Sequence, residues 1–138
     1  MKLSLKSLYP FNPFKRTVWE LLETPVTREE VTQAISEGRF RAEPVETWSY
    51  HKPPATRQEH IERVAFLATH EQKEPIEIDV GVPSLGCSVS WIIEDGNHRL
   101  AAAFYNGDSH IKANVSGDLD YAKHLFEWNE QQLEIISQ

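Results

Sequence analysis

Apolar side chains at helical spacing predict three helices in the first half of the chain. The first covers residues 15–23 and is stopped by Pro25. The second begins after Thr27, which forms a capping-box sequence with Glu30 three residues later. The third covers residues 57–70. Each segment carries its apolar residues on one face, so each is expected to pack against a core.

Four segments show the alternation, or the apolar centre, that is typical of strands. They cover residues 44–50, 75–80, 88–94 and 111–115. An alanine-rich helix separates the last two of them; it runs to Tyr105 and is closed by the glycine at position 107. Because helices alternate with strands, the pattern favours an α/β or α+β fold over an all-β sandwich.

The chain after residue 118 is predicted to be one long helix with a wide apolar surface. One stripe consists of Leu119, Ala122, Phe126, Leu133 and Ile136, and a second of Tyr121, Leu125, Trp128 and Ile135. Such a helix packs on its own domain or contacts a protein partner, including a second copy. We therefore divide the chain into a helical N-terminal extension (1–40), a main unit (41–115) and a C-terminal helix (116–138), all in one compact unit.

Composition narrows the possible function classes. The chain has 138 residues, 40% of them hydrophobic, which suits one domain with a real core. A net charge of −7 argues against binding an extended nucleic acid, which requires many basic contacts. The chain has no apolar run of about 18 residues and no signal-peptide pattern, so we expect no membrane association and a cytoplasmic location.

Metal and cysteine chemistry is limited by what the chain contains. Cys87 is the only cysteine, which excludes an intramolecular disulfide and a cysteine-based zinc site. The six histidines are scattered, so no protein-bound structural metal is expected. Cys87 itself is predicted to be a small core residue.

The segment from Trp91 to Ala103 combines a buried strand, a glycine turn and a helix with a polar, basic first turn. Gly96 permits a positive φ and the close approach of a ligand, while Asn97 can cap the helix or present its amide. His98 and Arg99 oppose the helix dipole at a cost of a few tenths to about 1 kcal/mol. This layout indicates a site for a phosphate or another compact anion.

A purely structural turn is the alternative interpretation. In it Arg99 pairs with Glu94 or Asp95, and His98 is merely packed. The preceding helix opens on charged and polar residues that either form a solvated face or lie against the turn: Arg57, Glu59, His60 and Arg63.

This segment resembles the hallmark of the ParB/sulfiredoxin-like superfamily: a strand, a glycine-containing turn with a basic residue, and an alanine-rich helix. The resemblance extends upstream to the helix around His60 and the strand at 75–78, and downstream to the strand at 111–115. It covers about half of the chain. It implies an α+β fold in which helices pack on a small mixed β-sheet.

The resemblance also implies roles for individual residues. Those that match its phosphate-binding positions are Gly96, His98 and Arg99. Asp95 matches an acidic position of the serine-kinase branch and would activate a hydroxyl or water. The helix start near the ligand would supply Arg57 as a second anion contact and Glu59 as a general base. The implied ligand is ATP or CTP, with Mg²⁺ arriving on the nucleotide.

The resemblance implies an ATP-dependent phosphotransferase or NTPase. Asn97 stands where sulfiredoxins carry their catalytic cysteine, and residues 116–138 leave no room for the DNA-binding domain of a partition protein, which excludes both of those functions. A non-catalytic interaction or ligand-sensing module is the alternative. A ParB-like nuclease is a third possibility, which the charge of −7 opposes.

Overall fold

A computed structural model describes residues 1–45 and 53–137, with side chains up to residue 135. The strands of this described part are β1 (Lys2–Ser4), β2 (Ile76–Asp79), β3 (Ile93–Asp95) and β4 (His110–Ser116). Its α-helices are α1 (Arg28–Ser36), α2 (Arg57–Thr69), α3 (Asn97–Asn106) and α4 (Leu119–Ser137). Two short 3₁₀ helices cover Leu5–Phe11 and Pro83–Leu85. Within the described residues, no helix is both long and apolar enough to cross a membrane.

The four strands form one mixed sheet in the order β1-β4-β2-β3. β4 is antiparallel to β1 and parallel to β2, and β2 is antiparallel to β3. The chain crosses from β2 to its parallel neighbour β4 through β3 and α3, so the turn that starts α3 lies at the end of β3. The predicted α+β fold with a small mixed sheet and a long C-terminal helix is confirmed.

Two apolar clusters meet at α3. The first joins the sheet to α4 and the Leu5–Phe11 segment, and α3 contributes Leu100 and Ala103 to it. The second joins α1, α2 and α3, and α3 contributes Ala101 and Ala102. Small side chains on α3 allow both layers to approach it closely, which explains the alanine-rich sequence of this helix.

Residues 1–40 do more than form a helical extension. Besides α1, they supply the edge strand β1, which the apolar pattern did not predict, and they contribute to both clusters. Their most deeply buried side chains include Leu8, Val26 and Val31. Three strand residues are too few to produce a recognisable alternation, so this strand depends on pairing with β4.

The helix predicted for residues 15–23 is wrong. That segment consists of turns, and Leu21 has a φ of 65°, which is incompatible with an α-helix. Trp19 is 5% exposed and packs between the helices of the second cluster. Burial of the indole ring therefore overrides the weak helical spacing.

Other predicted boundaries also change. The strand predicted for 88–94 pairs only over Ile93–Asp95, and the one predicted for 44–50 falls mostly outside the described residues. Cys87 is exposed rather than buried, because it closes a surface loop by bridging to Val82. The predicted helices after Thr27 and Thr56, at the alanine-rich segment and at the C-terminus are confirmed.

The C-terminal helix α4 packs along the Leu5–Phe11 segment. Ala122 and Phe126 are buried in the first cluster, and the buried Asn129 donates a hydrogen bond from Nδ2 to the Ser7 carbonyl at 3.1 Å. Of the second predicted stripe, Leu125 packs against the first cluster, whereas Trp128 and Ile135 are 59% and 65% exposed. The apolar surface of α4 is thus covered by its own domain only in part, and Leu119, Trp128 and Ile135 stay exposed.

Candidate functional site

Side chains cap the starts of α1 and α2 but not the start of α3. At α1 the Thr27 hydroxyl accepts from the Glu30 N–H, and the Glu30 carboxylate accepts from the Thr27 N–H; Thr56 and Glu59 repeat this arrangement at α2. At α3 the N-cap is Gly96, with no side-chain hydrogen bond and no acidic residue in the first turn. The first N–H groups of α3 therefore have neither an intrahelical acceptor nor a capping side chain.

Gly96 is required by the backbone at the start of α3. Its φ is 105°, and an added Cβ would lie 2.5 Å from Cγ2 and 2.8 Å from Cβ of Ile76. The glycine therefore lets the start of α3 lie directly against β2. The sequence pattern suggested the close approach of a ligand at Gly96, but the side chain of Ile76 in the sheet makes that approach.

Two histidines and a tryptophan form a compact cluster beside this turn. Nδ1 of His60 on α2 lies 2.8 Å from Nε2 of His98 in the first turn of α3. Trp19 stacks on both imidazole rings, with centroid distances of 4.7 Å to His60 and 4.6 Å to His98. His60 is 2% exposed, so the packing of α2 against α3 holds the pair in place.

Both imidazoles are neutral at physiological pH. Burial lowers the pKa of His60 to about 4. Burial also lowers the pKa of His98, to about 3, and the neighbouring His60 together with the charges of Arg63, Arg99 and Arg41 adds to this effect. His98 therefore stands in a strongly positive local environment and does not itself carry charge.

Three arginines create that environment, and most of their short hydrogen bonds go to neutral carbonyls. Arg63 donates from Nη1 to the Ala42 carbonyl at 2.7 Å, and Arg99 donates from Nη1 to the Pro75 carbonyl at 2.6 Å. The buried Nε of Arg41 has no hydrogen-bond partner among the described residues. We call Arg41, Arg63 and Arg99 the arginine cluster.

The carboxylates near the arginine cluster are distant or exposed. Glu59 lies 3.5 Å from Arg41, while Glu74 and Asp95 lie 3.5 and 3.6 Å from Arg99. The side chains of Glu74 and Asp95 are 83% and 70% exposed, so water screens both contacts. Burial, followed by the charges of Arg99 and Arg41, lowers the pKa of Arg63, and the charge of Glu74 only partly offsets this.

Arg57 and Glu59, proposed from the resemblance as anion contact and base, have structural contacts instead. Arg57 donates to the Glu30 carboxylate at 2.5 and 2.8 Å and to the carbonyls of Thr24 and Pro25. Its guanidinium holds the pKa of Glu30 at about 2, mainly through that hydrogen bond. Glu59 caps α2.

Asp95 and Asn97 remain beside the turn. The Asn97 side-chain oxygen accepts from Trp91 Nε1 at 3.1 Å, which fixes the amide at the first residue of α3. Asp95 is exposed next to Arg99, as the structural interpretation of the turn also expected. Among the described residues, no three His, Cys, Asp or Glu side chains are grouped to hold a metal ion.

A cavity of about 360 Å³ is lined in part by Arg99. The α2–β2 connection lines it with Glu71 and Glu74, and the β1–β4 pair lines it with Lys2 and Lys112. Both signs of charge are present, and the floor is formed by small apolar side chains of α3. Arg99, in the first turn of α3, thus lines a space large enough for a small molecule.

Sequence reasoning located the turn but not most of its surroundings. In the sequence, His60 and Arg63 are members of a charged helix start, and no feature distinguishes them there from Arg57 and Glu59. Arg41 and Trp19 lie outside any helix or strand, so no periodicity points to them. Comparisons of this chain with protein-family models, with curated proteins and with solved structures found no match.

Proposed function

We propose that this protein binds a phosphate group, or a similarly compact oxyanion, at the start of α3. The supporting observation is the arginine cluster beside an uncapped helix start, in a chain whose net charge is −7. Backbone N–H groups from Asn97 onward and the guanidiniums of Arg63 and Arg99 supply the donors. Gly96 keeps this helix start against the sheet.

The energetics support an anion rather than a purely structural cluster. Like charges that are partly buried repel one another. Within residues 1–45 and 53–137, the ion pairs of Arg41 and Arg99 with carboxylates are no shorter than 3.5 Å. A bound oxyanion removes that repulsion and gives the helix N-terminus the negative charge it lacks. In the structural alternative, the described carboxylates offset this repulsion only from 3.5 Å or more.

A nucleotide is the ligand we favour, on the strength of the motif's resemblance to the ParB/sulfiredoxin-like superfamily. With a terminal phosphate at the start of α3, the rest of ATP or CTP has the cavity beside Arg99 available to it. Asp95, which is exposed beside Arg99, would meet an Mg²⁺ that the nucleotide carries, or would activate a hydroxyl or water. Such a protein would act in the cytoplasm as a phosphotransferase or NTPase.

Calorimetric titration tests the proposal, with inorganic phosphate, ATP and CTP, each with and without Mg²⁺. We expect binding of at least one of them, and Arg63→Gln should weaken it about tenfold because one charge-assisted contact is lost. Lys123→Gln, an equal charge change on the exposed side of α4, should leave affinity unchanged. Absence of binding, or equal affinity of the wild type and Arg63→Gln, would refute the proposal.

The three ligands also distinguish a binding protein from an enzyme. Tighter binding of ATP or CTP than of phosphate supports a nucleotide site, and equal affinities indicate a site for phosphate alone. Release of inorganic phosphate from a bound nucleotide, lost in Asp95→Asn, would establish the NTPase. Binding without turnover would assign a sensor.

Self-association through α4 is a second candidate function, favoured by one observation. Tyr121, Trp128 and Ile135 recur every seven residues on the outer face of α4 and are 37%, 59% and 65% exposed. A second copy that meets this face would bury the same residues on both sides of a twofold axis. Sedimentation at rising concentration should then give a mass above that of the 15.9 kDa monomer, and Trp128→Glu should restore the monomer.

A further inference from the structure

The contact between His60 and His98 leaves a single proton between two neutral rings. In one arrangement His60 Nδ1–H donates to His98 Nε2, and the proton of His98 lies on its Nδ1. In the other arrangement His98 Nε2–H donates to His60, and Nδ1 of His98 is a bare acceptor. The 2.8 Å distance fits both, so a further interaction of the pair must decide between them.

Nδ1 of His98 is the atom that can make this further interaction. Nε2 of His98 is occupied by the contact with His60, which leaves Nδ1 as the ring nitrogen available to a ligand. Nδ1 is bonded next to Cγ and therefore stays close to the backbone of the first turn of α3, to which His98 belongs. An oxyanion at this helix start attracts an N–H at that position and repels a lone pair. Stacking of Trp19 on both rings opposes a rotation that would exchange the two nitrogens.

We propose that His60 is a positioning residue, which donates its Nδ1–H to His98 Nε2 and so holds His98 with Nδ1–H directed at the bound oxyanion. This inference rests on the function proposed above. It makes His98 a neutral, directional donor that adds to the positive charge of the arginine cluster. The ligand it suits is an oxyanion that only accepts at this position, as a fully ionised phosphate does.

The proton positions are directly measurable in the wild-type protein. Two-bond ¹H–¹⁵N correlation spectra of the imidazoles, recorded with saturating inorganic phosphate near pH 7.5, distinguish the two nitrogens of each ring. We expect His98 protonated on Nδ1 and bare on Nε2, and His60 protonated on Nδ1. A bare Nδ1 on His98, or a doubly protonated ring, would overturn the inference.

Two substitutions of His60 separate its hydrogen bond from its packing. His60→Phe keeps an aromatic ring against Trp19 but cannot donate, so phosphate should bind about tenfold more weakly, and His98 should move toward the Nε2–H tautomer. His60→Asn restores a donor near the position of Nδ1 and should recover affinity to within about threefold of the wild type. His124→Gln, on the exposed side of α4, controls for the loss of a histidine.

The outcomes separate this inference from the proposed function. If wild-type protein does not bind phosphate or nucleotide, both fail. If His60→Phe binds phosphate like the wild type and keeps the same His98 tautomer, the positioning role is refuted while the anion site stands. If His60→Phe does not fold, the spectrum of wild-type His98 and the affinity of His60→Asn still decide.

Discussion

The starts of α2 and α3 are neighbours in space, yet the basic residue at α2 is closely paired with a carboxylate and the one at α3 is not. At α2, Arg57 meets the Glu30 carboxylate at 2.5 Å and Glu59 caps the helix. At α3, no acid caps the first turn, and Arg99 reaches its nearest carboxylate at 3.5 Å. One helix start is closed by its own side chains, and the other leaves donors and positive charge available.

The difference teaches where a functional site can be sought in a chain without a strong motif. A basic residue at a helix start is uninformative by itself, because a neighbouring acid can compensate it, as Glu30 does for Arg57. It becomes informative where no close acidic side chain compensates its charge among the described residues. By this criterion we place the proposed site at α3, and the start of α2 contributes stability.

The largest expected effect comes from Gly96→Ala. The positive φ and the 2.5 Å approach to Ile76 should together destabilise the fold by about 3 kcal/mol or more and displace the start of α3. Gly107→Ala is the matched control, since its φ is 69° but its Cβ would meet nothing within 4 Å; it should cost about 1 kcal/mol. Equal denaturation midpoints for the two variants would show that the contact with β2 is unimportant.

The second-largest effect is expected from acid, which should destabilise the protein by protonating His60 and His98 in the unfolded chain. The folded-state pKa values of about 4 and 3 lie below the ordinary 6.5, so the unfolded chain binds more protons as the pH falls below that value. The stabilising contribution is complete above about pH 6.5 and is lost toward the folded pKa values. We expect urea denaturation to show a loss of about 2–4 kcal/mol from pH 7 to pH 4.5.

His98→Asn isolates the contribution of one ring to that loss. Because the variant lacks one of the two shifted groups, its stability should depend less steeply on pH, while His124→Gln should follow the wild type. A wild-type stability that stays constant down to pH 4.5 would contradict the neutral assignment of the pair.

Single substitutions of Arg57 and Arg63 by glutamine test the difference between the starts of α2 and α3 directly. Arg57→Gln removes the contact with Glu30 and should lower the free energy of unfolding by about 2 kcal/mol, without changing phosphate affinity. Arg63→Gln should do the reverse, with affinity reduced about tenfold and stability changed by less than about 1 kcal/mol. If both variants lose affinity equally, the two helix starts do not differ as described.

The smallest effect on stability is expected from Asn97→Asp. The carboxylate keeps an acceptor for Trp91 Nε1 and complements the dipole of α3, which should stabilise the fold by about 0.5 kcal/mol. The same charge competes with the oxyanion, so phosphate affinity should fall several-fold. A gain in stability without loss of affinity would place the anion elsewhere.

Much of the fold follows from local sequence. Thr27 with Glu30 and Thr56 with Glu59 mark where α1 and α2 begin, because a capping box involves residues only three positions apart. The strand β1 and the irregular path around Trp19 could not be predicted this way. Both depend on partners far along the chain: β4 for the strand, and α2 and α3 for the indole.

The sequence by itself determined the helices, the turn at Gly96 and the basic first turn of α3, since each is encoded within a few consecutive residues. Only the tertiary structure decided which charges are compensated. His60 meets His98 across 38 positions of sequence, and Arg57 meets Glu30 across 27. Such pairs are set by the packing of α1, α2 and α3 on one another, which residue spacing along the chain does not predict.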